Sequence, residues 1–454
     1  MISRNSAENA PATRIRWILV FWLFVLSAVS FLDRVNISVA GALISDDFHL
    51  NKIELGWVFS AFLVGYALFQ AIGGRLADRF GSRKVLAGGV VWWGIFTAIT
   101  ALVPSQLPYA LVLFMAARFL LGAGEAIVYP SSNQFVARWI PVKERGIANG
   151  WIFAGVGAGA GLTPPIISYI MRTHGWRSSF WFCAVIGVVA GAVWYIVSRD
   201  TPEQHPRVSP SELQTIHDGM PTQFSAARKS AVVPWSAVLA SKEVLAVTFS
   251  YFCYGYIAWI FFSWFYIYLA EVRGLNLKAS AWYATLPFLA MAVSCPLGGL
   301  LNDALTKRFS ARVGRCGVAA IAMMLTAVFL GTGSLVASPR VATIVLAGGA
   351  GALYLSQSSF WSVTADIAGP SSGSVSGFMN MGCQIGGAVT ASVTPIIANT
   401  FGWTTSFWVA AALSLLGASA WLLVNPSRLL AAQSETVHES YSMGELSNAY
   451  RKHS

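Results

Sequence analysis

The sequence predicts an all-α membrane protein of twelve transmembrane helices arranged as two six-helix bundles. Three observations predict it. The chain is 56% hydrophobic and only 11% charged, whereas soluble domains carry roughly a quarter charged residues. Its apolar residues fall into twelve runs, each long enough to cross about 30 Å of hydrocarbon as a helix. The two halves of the chain also repeat one another across a polar, proline-rich stretch.

The twelve runs cover 17–43, 53–75, 85–103, 108–136, 146–171 and 178–198, then 241–270, 279–302, 313–335, 341–366, 373–399 and 403–424. Irregular backbone cannot face lipid with its polar groups unpaired, so each run reads as a helix. The domain organisation follows: a tail over 1–16, a bundle over 17–198, a linker over 199–240, a second bundle over 241–424 and a tail over 425–454. Within the linker, "SPSELQTI" places Ser209 as an N-cap and Pro210 at the first position of a short surface helix. The first run contains "VLSAV", which resembles a cleavage site, but it is long and eleven spans follow it, so it reads as a span.

The repeat is visible in two matched pairs. "GGRLADRFGSRK" at 73–84 aligns with "GGLLNDALTKRF" at 298–309, an offset of 225, and "HGWRSSFWF" at 174–182 aligns with "FGWTTSFWV" at 401–409, an offset of 227. Parallel six-span repeats, with a substrate site between the halves, are an architecture of secondary transporters.

Charge placement sets the topology. Of the 30 Lys and Arg, Lys52, Arg172, Arg177, Arg273, Lys278 and Arg340 lie at one end of the spans and Arg34 and Arg118 lie inside them; the other 22 are at the end carrying the linker and both tails. This positive-inside pattern puts both termini in the cytoplasm, and it explains the net charge of +11 without nucleic acid as a partner. The five cysteines, Cys183, Cys253, Cys295, Cys316 and Cys383, lie in spans without CxxC spacing, so no disulfide framework and no metal site is expected. No nucleophile or phosphate-cradling pattern appears, so the chain is not expected to be an enzyme or to hold a cofactor.

Four ionisable residues sit deep in spans: Asp33 and Arg34 in "FLDRVNISVA", and Arg118 and Glu125 in "RFLLGAGE". A charge at a helix centre costs about 2.5–3.5 kcal/mol on insertion scales, so intramembrane charges face a cavity and one another. Arg118 and Glu125 are seven residues apart, on one face but separated by roughly 10 Å of rise. Arg118 is therefore expected to pair with Asp33, leaving Arg34 and Glu125 to the cavity. The repeat-equivalent positions of the second half hold no ionisable residue, so charge handling is expected in the first half alone, with aromatics and amides from the second. All six histidines lie in loops, tails or span ends, so a coupling proton is assigned to Asp33 or Glu125. The forked, permanently charged Arg34 suits a carboxylate ligand.

"GRLADRFGSRK" resembles the loop between spans two and three that marks the major facilitator superfamily, and the weaker copy around Asp303 sits where that fold repeats it. The resemblance implies a gating element of Gly74, Asp78, Arg79, Gly81, Arg83, Lys84 and Asp303, with Asp78 and the cations Arg79, Arg83 and Lys84 bridging helix ends. "FLDRVNISVA" and "GEAIVYPSSNQFVARWIPVKERGIANG" resemble the anion:cation symporter branch, which includes bacterial proton-coupled carriers for galactonate, glucarate and hexuronates. The likeness covers roughly 17–424. It implies Asp33 and Glu125 as protonation sites, Arg118 as partner of Asp33, Arg34 and Glu125 at the substrate, Tyr66 as a cavity residue, and Asn380 as a second-half contact with Trp361 and Gln384 beside it. One departure stands out: where related carriers have a polar amide near residue 156, this chain reads "FAGVGAGAG".

The expectation is thus a carrier, monomeric in a bacterial cytoplasmic membrane, importing an organic anion, a sugar acid, with protons by alternating access. The rivals are a symporter of aromatic or dicarboxylic acids, an anion exchanger, and a transporter-like receptor that binds without translocating.

Overall fold

The structure is a computed structural model that describes residues 12–220, 233–265, 268–273 and 277–430. The tails over 1–11 and 431–454 with His438 and His453, the linker stretch 221–232, Tyr266 and Ile267, and 274–276 lie outside the described residues.

The first bundle is built from α1 (Ile15–Phe48), α2 (Lys52–Phe80), α3 (Ser82–Leu102), α4 (Ala110–Glu125), α5 (Val128–Trp139), α6 (Arg145–His174) and α7 (Trp176–Val197). The linker carries α8 (Pro210–Asp218) and α9 (Trp235–Ala240). The second bundle follows as α10 (Lys242–Ser263), α11 (Leu277–Arg308), α12 (Val318–Leu335), α13 (Pro339–Leu355), α14 (Gln357–Ala368), α15 (Ser372–Phe401) and α16 (Trp403–Ala420).

Among the described residues, eleven helical stretches are long and apolar enough to cross a membrane, and one of them, Pro339–Phe401, has 63 residues. At 1.5 Å per residue that is about 95 Å, several hydrocarbon thicknesses. It breaks at Gly369, whose φ of 52° and ψ of −118° are open to glycine. The limbs on either side, α13 with α14 and α15, are each of crossing length. The twelve expected crossings are therefore present as eleven stretches, one of them double.

Large apolar side chains such as Phe21, Leu68, Val112 and Ile396 point outward, as lipid-facing helices require. Inside each bundle, α1 packs on α6, α2 on α4, α10 on α15 and α11 on α13. Two seams join the bundles, α2 against α15 and α6 against α11. The repeat relates them, since α2 corresponds to α11 and α6 to α15. Gly74 lies so close to the Gly373 carbonyl that a Cβ would overlap it, and Gly299 lies against the Gly146 carbonyl in the same way. Small residues at such crossings let two backbones touch where lipid offers no hydrophobic drive for association.

The linker helix behaves as its sequence predicts. Ser209 Oγ accepts from the Glu212 amide at 3.2 Å, with Pro210 at the first turn. Glu212 in turn accepts from the amides of Ile15 at 3.0 Å and Arg16 at 3.2 Å, so a linker carboxylate caps the first span. This locates the linker beside the start of α1, and that side is called the linker end below.

Candidate functional site

Adjacent helical residues point about 100° apart, so Asp33 and Arg34 on α1 serve different neighbours. Asp33 turns to α3, where the Thr97 hydroxyl donates to its Oδ2 at 2.8 Å. Arg34 turns to α4 and α2. Its Nη2 donates to Glu125 Oε1 at 2.7 Å, and its guanidinium lies 4.3 Å from the Tyr66 ring centre and 4.6 Å from that of Phe31. Ser30, one turn earlier on α1, donates to the same Glu125 oxygen. Glu125 has no exposed side-chain surface, whereas Arg34 keeps 15% of its own. The cation is the reachable member of the pair.

This differs from the expected pairing of Arg118 with Asp33. Among the described residues, no Arg118 nitrogen lies within 4.0 Å of an acidic oxygen; its guanidinium packs 5.0 Å from the Phe62 ring centre, and its Nε and Nη1 have no hydrogen-bond partner there. Direction and height explain it. Asp33 turns its Oδ2 to Thr97 and leaves Oδ1 buried without a hydrogen-bond partner, while Arg118 lies two turns along α4 from Glu125, outside the layer in which Arg34 meets that carboxylate; Asp33 and Arg118 are charge neighbours without a direct bond. Glu125, expected to face the cavity, is instead enclosed by Arg34 and Ser30.

The second half brings the predicted residues to the first. Asn380 on α15 donates to Gln70 Oε1 on α2 at 2.6 Å. Trp361 on α14 sits with its ring centre 4.9 Å from Phe153 and 5.9 Å from Tyr129, and its indole donates to the Tyr251 hydroxyl at 3.1 Å. Gln384 lies one turn beyond Asn380 and is half-buried. Beside this aromatic wall, Phe153, Val156, Gly157 and Ala160 meet Phe288, Met291 and Tyr354 around a small cavity. The absence of an amide near 156 leaves this wall apolar.

In the loop after α2, the expected bridge between helix ends is made by Asp78, while Arg83 turns to its own bundle. Asp78 reaches across the seam to α15, accepting from the amides of Gly373 at 2.9 Å and Ser374 at 2.7 Å. It caps the start of the opposite bundle's helix, where unpaired N–H groups and the helix dipole favour a carboxylate. Arg79 and Lys84 are exposed. Arg83 donates to the Tyr195 carbonyl at 2.9 Å within its own bundle, after Gly81, which turns the chain at φ 89°. Asp303 repeats the cap on the other seam, accepting from the amides of Gly146 at 2.9 Å and Ile147 at 2.7 Å at the start of α6.

Charge is not confined to the first half, where the sequence predicts it, but is also buried at the linker end. Arg145, Asp303, Arg315 and Asp366 are all buried. Arg145 pairs with Asp366 at 2.5 Å across the bundles, and Arg315 pairs with Asp303 at 2.9 Å and Asp366 at 3.1 Å. Arg145 and Arg315 stand at helix ends, where the sequence predicts solvated loop cations; Arg145 is instead met by Asp366 of the other bundle, and Arg315 by Asp303 and Asp366 of its own bundle and the Val142 carbonyl of the other. Asn133 donates to Thr364 at 2.9 Å and Asn149 to Ser362 at 3.3 Å, so polar contacts close the interface from the aromatic wall to the linker end.

Two bundles meeting around a charged centre, with paired caps across their seams, define a secondary transporter rather than an enzyme. Residues 23–391 match the family model described as Major Facilitator Superfamily, and the chain belongs to that superfamily as a multi-pass membrane protein. It is 34% identical over 400 residues to a probable sulfoacetate transporter, SauU, of Cupriavidus necator, covering 88% of this chain and 91% of that one. It is 28% identical over 408 residues to a hexuronate transporter of Bacillus subtilis, covering 88% and 93%. A solved structure of the proton:xylose symporter XylE superposes with a TM-score of 0.71 at 16% identity, covering 91% of this chain and 98% of that one. That last likeness concerns the fold alone.

Proposed function

We propose that the protein imports an organic anion, a sugar acid of the galactonate, glucarate or hexuronate type, together with protons, by alternating access. The observation that carries this reading is the Arg34–Glu125 pair at 2.7 Å, in which the cation is partly open and the carboxylate is sealed. An incoming carboxylate competes for the Arg34 fork, the group suited to bidentate binding. Glu125, deprived of its counter-charge in a low-dielectric setting, then takes a proton. Anion and proton together leave the bundle without the cost of an extra buried charge. Asp33, held by Thr97 at 2.8 Å, is the second proton-bearing group, with Arg118 in the same cluster. Relatives named as carriers of sulfoacetate and hexuronate support an anionic cargo.

The protein is proposed to act as a monomer in a bacterial cytoplasmic membrane, and the Lys and Arg placement supports an orientation with both termini and the linker inside. On that orientation the contacts at the linker end close the route to the cytoplasm. A second reading, a symporter of aromatic acids, is favoured by the apolar wall of Phe153, Val156, Gly157 and Ala160; transport of a dicarboxylic acid and anion exchange are the remaining alternatives.

Uptake into reconstituted vesicles separates the readings. Acidifying the outside accelerates accumulation of labelled D-galactonate in a proton symporter. Uptake that depends on internal anion and ignores the pH gradient contradicts symport.

A further inference from the structure

Gln70 has no role in the reading above, yet it occupies the place where the two halves of the site meet. It is fully buried on α2, one turn after Tyr66 and two turns before Asp78. Residues four apart share one helical face, so a single stripe of α2 presents Tyr66 to Arg34, Gln70 to Asn380, Gly74 to Gly373 and Asp78 to the start of α15. The Gln70 amide lies beside the Tyr66 hydroxyl, which Arg34 also approaches. Its Oε1 accepts from Asn380 across the seam at 2.6 Å, while its Nε2 is buried and makes no hydrogen bond of normal geometry, with the Tyr66 hydroxyl beside it. A sealed amide donor without such a bond is uncommon and unfavourable. Here it stands between the anion-binding cation and the second-half amide.

Resting on the proposed import of a sugar acid, we propose that Gln70 is a substrate contact that reads a mid-chain hydroxyl of the acid bound at Arg34. The spacing sets which hydroxyl. One helical turn separates the Tyr66 layer from the Gln70 layer, about 6 Å of rise, which suits an oxygen several carbons beyond the carboxylate rather than one adjacent to it. That hydroxyl accepts from Gln70 Nε2, while Gln70 Oε1 keeps its bond from Asn380 across the seam. Gln70 thereby favours six-carbon hydroxylated acids over unsubstituted acids of equal length, and it ties occupancy of the site to a bond that crosses the bundle seam.

The test is thermal stabilisation of the purified full-length chain by D-galactonate and, separately, by hexanoate. The wild type is expected to respond at lower concentrations of D-galactonate. Gln70→Leu is expected to need about tenfold more D-galactonate, the loss of roughly one hydrogen bond, with the hexanoate response unmoved. Equal shifts for both acids, or a shift for neither, assign Gln70 to the interface alone and overturn the proposal. If Gln70→Leu does not fold, Gln70→Asn, whose amide stops one carbon short, gives the same comparison. A wild type that prefers hexanoate, or answers to neither acid, sinks the sugar-acid reading itself and this proposal with it; a galactonate-selective wild type whose selectivity survives Gln70→Leu sinks only the role of Gln70.

Discussion

Asp78 and Asp303 stand 225 residues apart in the chain and perform the same act on opposite seams: each carboxylate accepts two backbone amides from the first turn of a helix in the other bundle. The Asp78 carboxylate is held by backbone amides and the Ser374 hydroxyl, whereas Asp303 also pairs with Arg315 at 2.9 Å. The internal repeat has placed one acid at the end of α2 and its copy near the end of α11, so the linker end is closed twice by one device. An opening movement at this end has to break both caps.

Replacing Asp78 with Ala removes one cap and no ion pair. Loss of an N-cap costs about 0.5–2 kcal/mol, which shifts the closed-to-open equilibrium by about two- to thirtyfold. The native Cys295 reports it. Its side chain is buried, and its carbonyl lies against Gly150 across the second seam. In a chain whose other four cysteines are replaced by Ser, Asp78→Ala is expected to raise the rate of maleimide labelling of Cys295. An unchanged rate argues against the cap as a latch.

Arg145, Arg315, Asp303 and Asp366 form a neutral buried cluster. Asp366→Asn leaves it with an uncompensated positive charge, and breaking a buried pair from one side costs about 3–5 kcal/mol. The double variant Arg145→Gln with Asp366→Asn restores neutrality. The melting temperature of the double variant is therefore expected to lie above that of either single variant. A double variant at or below the sum of the single losses contradicts a coupled network.

At the end opposite the linker, Asp47 accepts from Arg177 at 2.5 Å. Partial burial pushes its pKa up, but the hydrogen bond and charge of Arg177 outweigh this, and the carboxyl titrates below its ordinary value. A depressed folded-state pKa stabilises the fold above the unfolded value, about 3.9, and that contribution fades as pH falls through the lower folded value. Asp47→Asn is thus expected to lower the melting temperature at pH 7, with the gap to the wild type narrowing as pH falls below the unfolded value of about 3.9. A gap that does not narrow as the pH is lowered points to lost packing instead.

Much of this was legible in the sequence. The apolar runs, the repeat, the Ser209 cap and the identity of the four central charges all follow from patterns that depend on one helix at a time. The pairing among those charges was not legible, because helical spacing fixes which face a residue shares and not how neighbouring helices are rotated or offset. Arg34 and Asp33 are adjacent, and only the positions of α3 and α4 decide that Thr97 takes the acid and Glu125 the base. Arg145, Arg315 and Asp366 escaped notice for a related reason: a charge at a helix end reads as solvated until a second bundle covers it. Gln70 left a faint signal, its place one turn from Tyr66 and two from Asp78 on a single stripe.

Arg34 is expected to be intolerant even of Lys, which keeps the charge and loses the fork. A charged hydrogen bond is worth about 1.5–3 kcal/mol, so Arg34→Lys is expected to weaken anion-dependent thermal stabilisation by about ten- to a hundredfold. Retained affinity assigns the anion to another cation.

The central claim is that Glu125 takes a proton as the anion takes Arg34. The most direct measurement is uphill uptake of labelled D-galactonate into vesicles driven by an imposed pH gradient, comparing wild type with Asp33→Asn, Glu125→Gln and the double variant. Glu125→Gln keeps an acceptor for Arg34 and Ser30 but cannot titrate. The account predicts that it abolishes gradient-driven accumulation while leaving exchange of internal for external anion, and that the double variant is equally unable to accumulate. Accumulation at the wild-type level in the double variant would contradict the account.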